Sequence, residues 1–91
     1  MDVKEAVRTA KHWVLDVLDD EKPANLGLEE VEFDDSAGQW KITVGFSRPW
    51  NSFSEPLAPM VQPQPRSYRT IIIDDRNGEV KGMRRKASAE S

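Results

Sequence analysis

The feature that most restricts the fold of this chain is the clustering of its prolines. Five of the six prolines lie within residues 47–66. Proline fixes φ, lacks an N–H donor and interrupts both helices and central strands, so this stretch predicts a long irregular loop. Regular structure must therefore come from the residues before the loop and from the short block after it.

The first block begins with an amphipathic helix, predicted over residues 3–21. Asp2 precedes it as an N-cap, and Glu5 resembles the second half of a capping box. Pro23 is expected to end the helix because its ring disfavours a helical conformation at Lys22. The apolar residues that recur at steps of three and four along one face are Val3, Val7, Ala10, Val14, Val17 and Leu18.

Strand patterns follow on both sides of the loop. Residues 28–34 predict a first strand, and strict alternation over residues 40–46 predicts a second, joined to it by a turn-forming run. Residues 67–74 predict a third strand. Asn77-Gly78 favours a tight hairpin turn into a short final strand over residues 80–84. The alternating apolar residues of the second strand are Trp40, Ile42, Val44 and Phe46.

This order of elements predicts an α+β fold in which one N-terminal helix packs on a three- to four-stranded antiparallel sheet (α-β-β-loop-β-β). Residues 1–86 are expected to form a single domain with the proline-rich loop at 47–66, and residues 87–91 a disordered tail. One apolar helix stripe can cover one sheet face. We therefore expect Val7, Val14 and Leu18 to face the alternating residues of the second strand.

Composition excludes several classes of protein. The formal net charge of −3 gives no general reason to bind nucleic acid, and a basic cluster near the end of the chain (Lys81, Arg84, Arg85 and Lys86) is small. No apolar run approaches the length of a membrane span. The chain has no cysteine for a disulfide or thiolate site, and its first residues lack the order of a signal peptide. We therefore expect a cytoplasmic protein without a membrane partner.

Two segments resemble the PepSY and cystatin-like group of small domains. They are the strand Gln39–Val44 and the closing pattern Tyr68–Asp74 with Asn77-Gly78-Glu79-Val80. The resemblance implies a non-catalytic domain that inhibits or modulates proteases or other partners. The chain departs from that group in its proline-rich insert and in lacking an export signal.

No residue pattern predicts an enzyme, a metal site or a cofactor. His12 is the only histidine, and on a helix it could meet Asp16 one turn later. That spacing would orient a general base, but a solvated surface pair is the favoured interpretation. The acidic doublets Asp34-Asp35 and Asp74-Asp75 suit turns at strand ends, and the spacing after them does not fit a calcium loop.

The charges of the helix run against its dipole. Lys4, Arg8 and Lys11 lie in its first half, whereas Asp16, Asp19 and Asp20 lie near its end. Helix ends favour the opposite arrangement by about 0.3–1 kcal/mol per charge. Either neighbouring groups compensate, or the acids form a patch that binds a basic partner.

The proline-rich loop carries large apolar side chains, and two interpretations stay open for them. They either fold back onto the core or form an exposed patch that binds a protein partner. The second interpretation gives the leading hypothesis, a non-catalytic protein–protein interaction module such as an inhibitor, immunity protein or accessory subunit. The candidate partner-binding residues are Trp50, Phe53, Leu57, Met60, Asp16, Asp19 and Asp20.

The alternative hypothesis is a regulatory domain that binds a small ligand, with the proline-rich loop as a lid. An exposed sheet edge would also permit two copies to pair as a homodimer. Neither hypothesis requires a cofactor.

Overall fold

The computed structural model describes residues 1–47 and 66–86, so most of the predicted loop and the predicted tail lie outside the described residues. Within them, one N-terminal helix packs on an antiparallel sheet of four strands in the order β1-β2-β3-β4, which confirms the predicted fold class. The elements are helix α1 (Val3–Val17), a 3-10 turn (Asp19–Glu21), and strands β1 (Ala24–Asp34), β2 (Gln39–Ser47), β3 (Ser67–Asp74) and β4 (Val80–Arg85).

Helix α1 begins where the sequence predicts but ends earlier. Asp2 Oδ1 accepts a hydrogen bond from the Glu5 N–H at 2.8 Å, and Glu5 Oε1 accepts one from the Asp2 N–H at 3.2 Å, which completes the capping box. The helix ends at Val17, and the chain passes through the 3-10 turn to a left-handed Lys22 (φ 51°) before Pro23. The last turn of α1 has no basic residue, so the acids there oppose the dipole and weaken a continuation.

Strand β1 is longer than the sequence predicts, whereas β3 has the predicted bounds. β1 starts at Ala24, and its pairing with β2 shifts register between Ala24 and Gly27 and again between Leu28 and Glu30. Such bulges interrupt the alternation of the two strand faces. The period-two pattern was therefore visible only in the regular part of the strand.

The two hairpin turns at one end of the sheet are tied together. The Trp40 indole N–H donates to Asp75 Oδ1 at 2.8 Å, and the Asp75 N–H donates to the Gly38 carbonyl at 3.0 Å. The N-terminal ammonium of Met1 lies 3.6 Å from the Asp75 carboxylate. These contacts place the start of α1 beside the turns, so its acidic end lies toward the opposite end of the sheet.

Asp34 shapes the first of these turns. Its Oδ1 accepts hydrogen bonds from the Ser36 hydroxyl at 2.8 Å, the Ser36 N–H at 3.1 Å and the Ala37 N–H at 3.2 Å. The Ser36 hydroxyl first, and then the Ala37 N–H, hold the pKa of this carboxyl below its ordinary value. The acid therefore has a local structural role, as its place at a strand end predicted.

The core lies between α1 and one face of the sheet. It confirms the predicted packing of Val14 and Leu18 on the second strand, with Val7 and Trp40 partly buried at its border. The neighbouring strand adds the two isoleucines that the alternation places on the same face. The buried residues of this core are Ala6, Ala10, Val14, Leu18, Ile42, Val44, Phe46, Ile71 and Ile73.

The helix stripe differs from the prediction at both ends. Val3 and Val17 were expected on the buried face, but their side chains are 44% and 49% exposed. Ala6, expected only to flank the stripe, is fully buried. The reason is geometric: the buried positions Ala6, Ala10, Val14 and Leu18 follow one another at steps of four residues, and Val3 and Val17 lie beside this line of contact rather than on it.

Candidate functional site

An open groove runs between the first half of α1 and strand β1, and we call it the α1–β1 groove. Its volume is about 470 Å³. Aliphatic side chains from both elements and cationic side chains from the helix surround it. The lining residues are Val3, Lys4, Val7, Arg8, Lys11 and Leu28.

The groove exists because β1 is at the edge of the sheet and is bulged beside the helix. Leu28 is at the second bulge, and its side chain is 44% exposed, as is that of Val3. Full burial of such a side chain is worth about 1.5–3 kcal/mol. Two of them in one groove therefore provide a favourable surface for an apolar group.

The cations of the groove follow one side of the helix. Lys4, Arg8 and Lys11 are spaced by four and three residues, which aligns them on α1. Among residues 1–47 and 66–86, no ion pair includes any of the three. Their charges are therefore available to an anionic group that enters the groove.

The opposite end of the helix combines carboxylates with exposed aliphatic side chains. Asp16, Asp19 and Asp20, which the sequence made candidates for partner binding, are exposed. The neighbouring Leu15 is 43% exposed and Val17 is 49% exposed, and the two project from different sides of the helix. We call these five residues the acidic end of α1.

The negative charges of the acidic end are not neutralised by any described basic side chain. No basic side chain occupies the last turn of α1, and the ion pairs within the described part of the chain include none of its three aspartates. The alternative in which neighbouring strands or the basic C-terminal cluster neutralise these charges therefore has no contact to support it.

His12 and Asp16 share a shallow hollow of about 500 Å³ with Thr9 and Trp13. Both are exposed, and no described hydrogen bond or ion pair joins them. A general base needs an orienting partner within hydrogen-bond distance. The hollow thus brings His12 and Asp16 to one surface, as their spacing of four residues suggested, but it lacks the hydrogen bond that a catalytic pair requires.

The sheet face opposite the helix is covered by side chains around Gly45. A methyl group placed at Gly45 would lie 2.9 Å from the Tyr68 ring, 2.9 Å from the Glu29 carboxylate and 3.1 Å from the Arg66 guanidinium. Arg66 and Glu29 form an ion pair at 3.8 Å. This glycine therefore allows the Tyr68 ring and its charged neighbours to lie directly against the strand.

The basic C-terminal cluster is partly neutralised by ion pairs. Lys86 pairs with Glu30 across this face, and Lys81 lies 4.0 Å from Glu79. Exposed pairs of this kind contribute at most about 1 kcal/mol to stability, but they lower the positive potential of the cluster. A nucleic-acid role, already unexpected from the net charge, gains no support here.

Not every predicted site residue can be placed. The loop candidates Trp50, Phe53, Leu57 and Met60 lie outside the described residues, and their role stays a prediction. The described residues hold no group of three or more metal-ligating side chains. Sequence reasoning identified the acidic end of α1 but missed the groove, although Lys4, Arg8 and Lys11 at helical spacing were a visible signal for its rim.

Comparisons with known proteins give no relative from which a function could be carried over. A scan against protein-family models and searches of curated proteins and of solved structures found no significant match to this chain.

Within the described ranges, no helix has both the length and the apolarity to cross a membrane.

Proposed function

We propose that this chain is a small non-catalytic protein-interaction module, of the inhibitor, immunity or accessory type, whose acidic end of α1 binds a basic surface on a partner. The observation that supports it is the exposed set of aspartates around Leu15 and Val17, placed where the helix dipole disfavours negative charge. Natural proteins retain such local costs most often where they serve binding.

The chemistry of this surface suits recognition of a cationic partner. The carboxylates would steer the encounter and select a basic surface, and an exposed aliphatic side chain beside them would supply apolar contact. In this proposal Trp50 and Phe53 of the proline-rich segment are additional anchors, with Leu57 and Met60 beside them. The absence of cysteine favours a reducing compartment, so the proposal places the protein in the cytoplasm.

The triple variant Asp16→Asn, Asp19→Asn and Asp20→Asn is expected to be more stable but to bind its partner less well. Removing three charges that oppose the dipole should raise the free energy of unfolding by about 1–2 kcal/mol, measured by urea denaturation. The matched control is Glu32→Gln with Asp35→Asn, two exposed acids on the first hairpin, and it should change stability by less than about 0.5 kcal/mol. A triple variant that is less stable than the parent would show that the aspartates make stabilising contacts.

The binding half of the proposal is tested by affinity capture from lysate of the native host. The immobilised parent chain and the hairpin control should retain the same salt-sensitive partner, whereas the triple variant should lose it. Trp50→Ala with Phe53→Ala tests the loop anchors separately. If all four proteins retain the same set of partners, the proposed surface is wrong.

A further inference from the structure

We propose that the α1–β1 groove binds a small anionic amphiphile, a molecule with a single alkyl chain and an acidic head group such as a carboxylate or a phosphate monoester. The alkyl chain lies against the aliphatic side chains of the groove, and the cations of α1 hold the head group. The site is separate from the acidic end of α1, and its occupation needs neither that surface nor the proposed protein partner.

The groove has positive charge without a counter-ion in its lining. Its charged residues are the three cations of α1, and no carboxylate lines it. The nearby acids of β1 are engaged on the sheet face opposite the helix, where Glu29 lies 3.8 Å from Arg66 and Glu30 pairs with Lys86. An acidic head group in the groove would therefore supply the negative charge that the described residues do not, through charge-assisted hydrogen bonds.

The lining favours an occupant that accepts hydrogen bonds and donates none. Lysine and arginine side chains are donors without an acceptor, and the other lining residues are aliphatic. A peptide segment would bring backbone N–H groups that need acceptors, and the bulges of β1 interrupt the regular edge to which a peptide strand could add. An ionised fatty acid brings only oxygen acceptors and an apolar body, so it matches the lining better than a peptide does.

The dimensions of the groove fit one alkyl chain of medium length. From Val3 to Lys11 the helix rises by about 12 Å. An extended chain of about ten carbons, with carbon–carbon bonds of about 1.5 Å, spans that distance. The volume of about 470 Å³ lies within the range of small-molecule sites, about 300–1,000 Å³. Because the groove is open to solvent, we expect a dissociation constant of about 0.1–1 mM.

The test is a titration of the purified full chain with decanoate, kept below its micelle-forming concentration and followed by two-dimensional amide NMR. Saturable shifts are expected at residues 3–11 and around Leu28. Decyltrimethylammonium, which has the same chain and a cationic head group, should bind at least about tenfold more weakly. Hexanoate should also bind at least about tenfold more weakly, because its shorter chain leaves part of the aliphatic floor uncovered.

Two variants separate the head-group contacts from the chain contacts. Lys4→Gln with Arg8→Gln should weaken decanoate binding at least about tenfold without weakening that of decyltrimethylammonium, whereas a general disturbance of the groove would weaken both. Leu28→Ser should weaken decanoate binding about fivefold. The matched control is Val17→Ser, which changes an exposed aliphatic residue of the same helix outside the groove. It should change decanoate binding by less than about twofold.

The charge variant should stay folded, because it removes positive charge from the half of α1 where the helix dipole disfavours it; circular dichroism checks this. Absence of saturable shifts with decanoate, equal binding of decanoate and decyltrimethylammonium, or unchanged decanoate binding by the charge variant would each overturn the proposal. Co-sedimentation with phosphatidylglycerol vesicles without binding of dissolved decanoate would assign the groove to a membrane surface and also overturn it. None of these outcomes bears on capture of a protein partner by the acidic end of α1.

Discussion

Replacing Phe46 with alanine is expected to lower the free energy of unfolding by about 3–5 kcal/mol. Phe46 is the largest fully buried side chain of the core, and it lies near the end of β2 with the Arg69 guanidinium 5.9 Å from its ring centroid. Three contributions to stability are lost: the free energy gained by burying the ring, the packing of the space that becomes a cavity, and the cation–π contact. Small domains have only about 5–15 kcal/mol of total stability, so urea denaturation should show a much reduced midpoint.

Two control variants locate the cause of this loss. Phe46→Leu keeps much of the volume and should cost less than Phe46→Ala. Phe33→Ala removes the same ring from an edge strand, where it is 38% exposed and packs at a tilt on Trp40 with centroids 4.9 Å apart. That variant should cost about 1 kcal/mol. Equal losses at positions 33 and 46 would contradict the placement of the core.

Replacing Val14 with aspartate is expected to unfold most of the protein. Val14 is fully buried in the centre of the helix–sheet contact. A carboxylate there would be desolvated without a partner, at a cost of about 4 kcal/mol or more, which is among the largest effects of single substitutions. Far-UV circular dichroism and a urea titration measure the result.

The next residue provides the matched control. Leu15 is 43% exposed on the other side of the same helix turn, so Leu15→Asp should leave the fold intact and lower stability by about 0.5–1 kcal/mol. If the Leu15 variant unfolds and the Val14 variant does not, the orientation of α1 on the sheet is wrong.

The sequence predicts the elements of this fold well because their signals are local. The alternation over residues 40–46 reflects one strand with a buried and an open face, and the helix steps through Ala10 and Val14 reflect one contact line. The exposure of Val3 and Val17 could not be predicted in this way. It depends on the angle at which the line of contact through Ala6, Ala10, Val14 and Leu18 crosses the helix surface, which is a property of the packed helix and sheet.

The two candidate sites also differ in whether they have a local signal in the sequence. The acidic end of α1 is visible in the sequence because its charges are contiguous and oppose a known dipole. The α1–β1 groove requires Leu28 and Val7 to line the same cleft, and this placement depends on the bulges of β1 and on its position at the sheet edge. Neither feature has a local signal, so the rim of the groove could be read from the sequence but its floor could not.

The most direct test of the proposed function is site-specific photocrosslinking in host lysate. A benzophenone amino acid is introduced at Asp20, in the acidic end of α1, and in a separate chain at Glu32, an exposed position on the edge strand. We expect a discrete adduct from position 20 that high salt removes, and no matching adduct from position 32. An equal pattern from both positions, or no adduct from position 20, would contradict the proposed function.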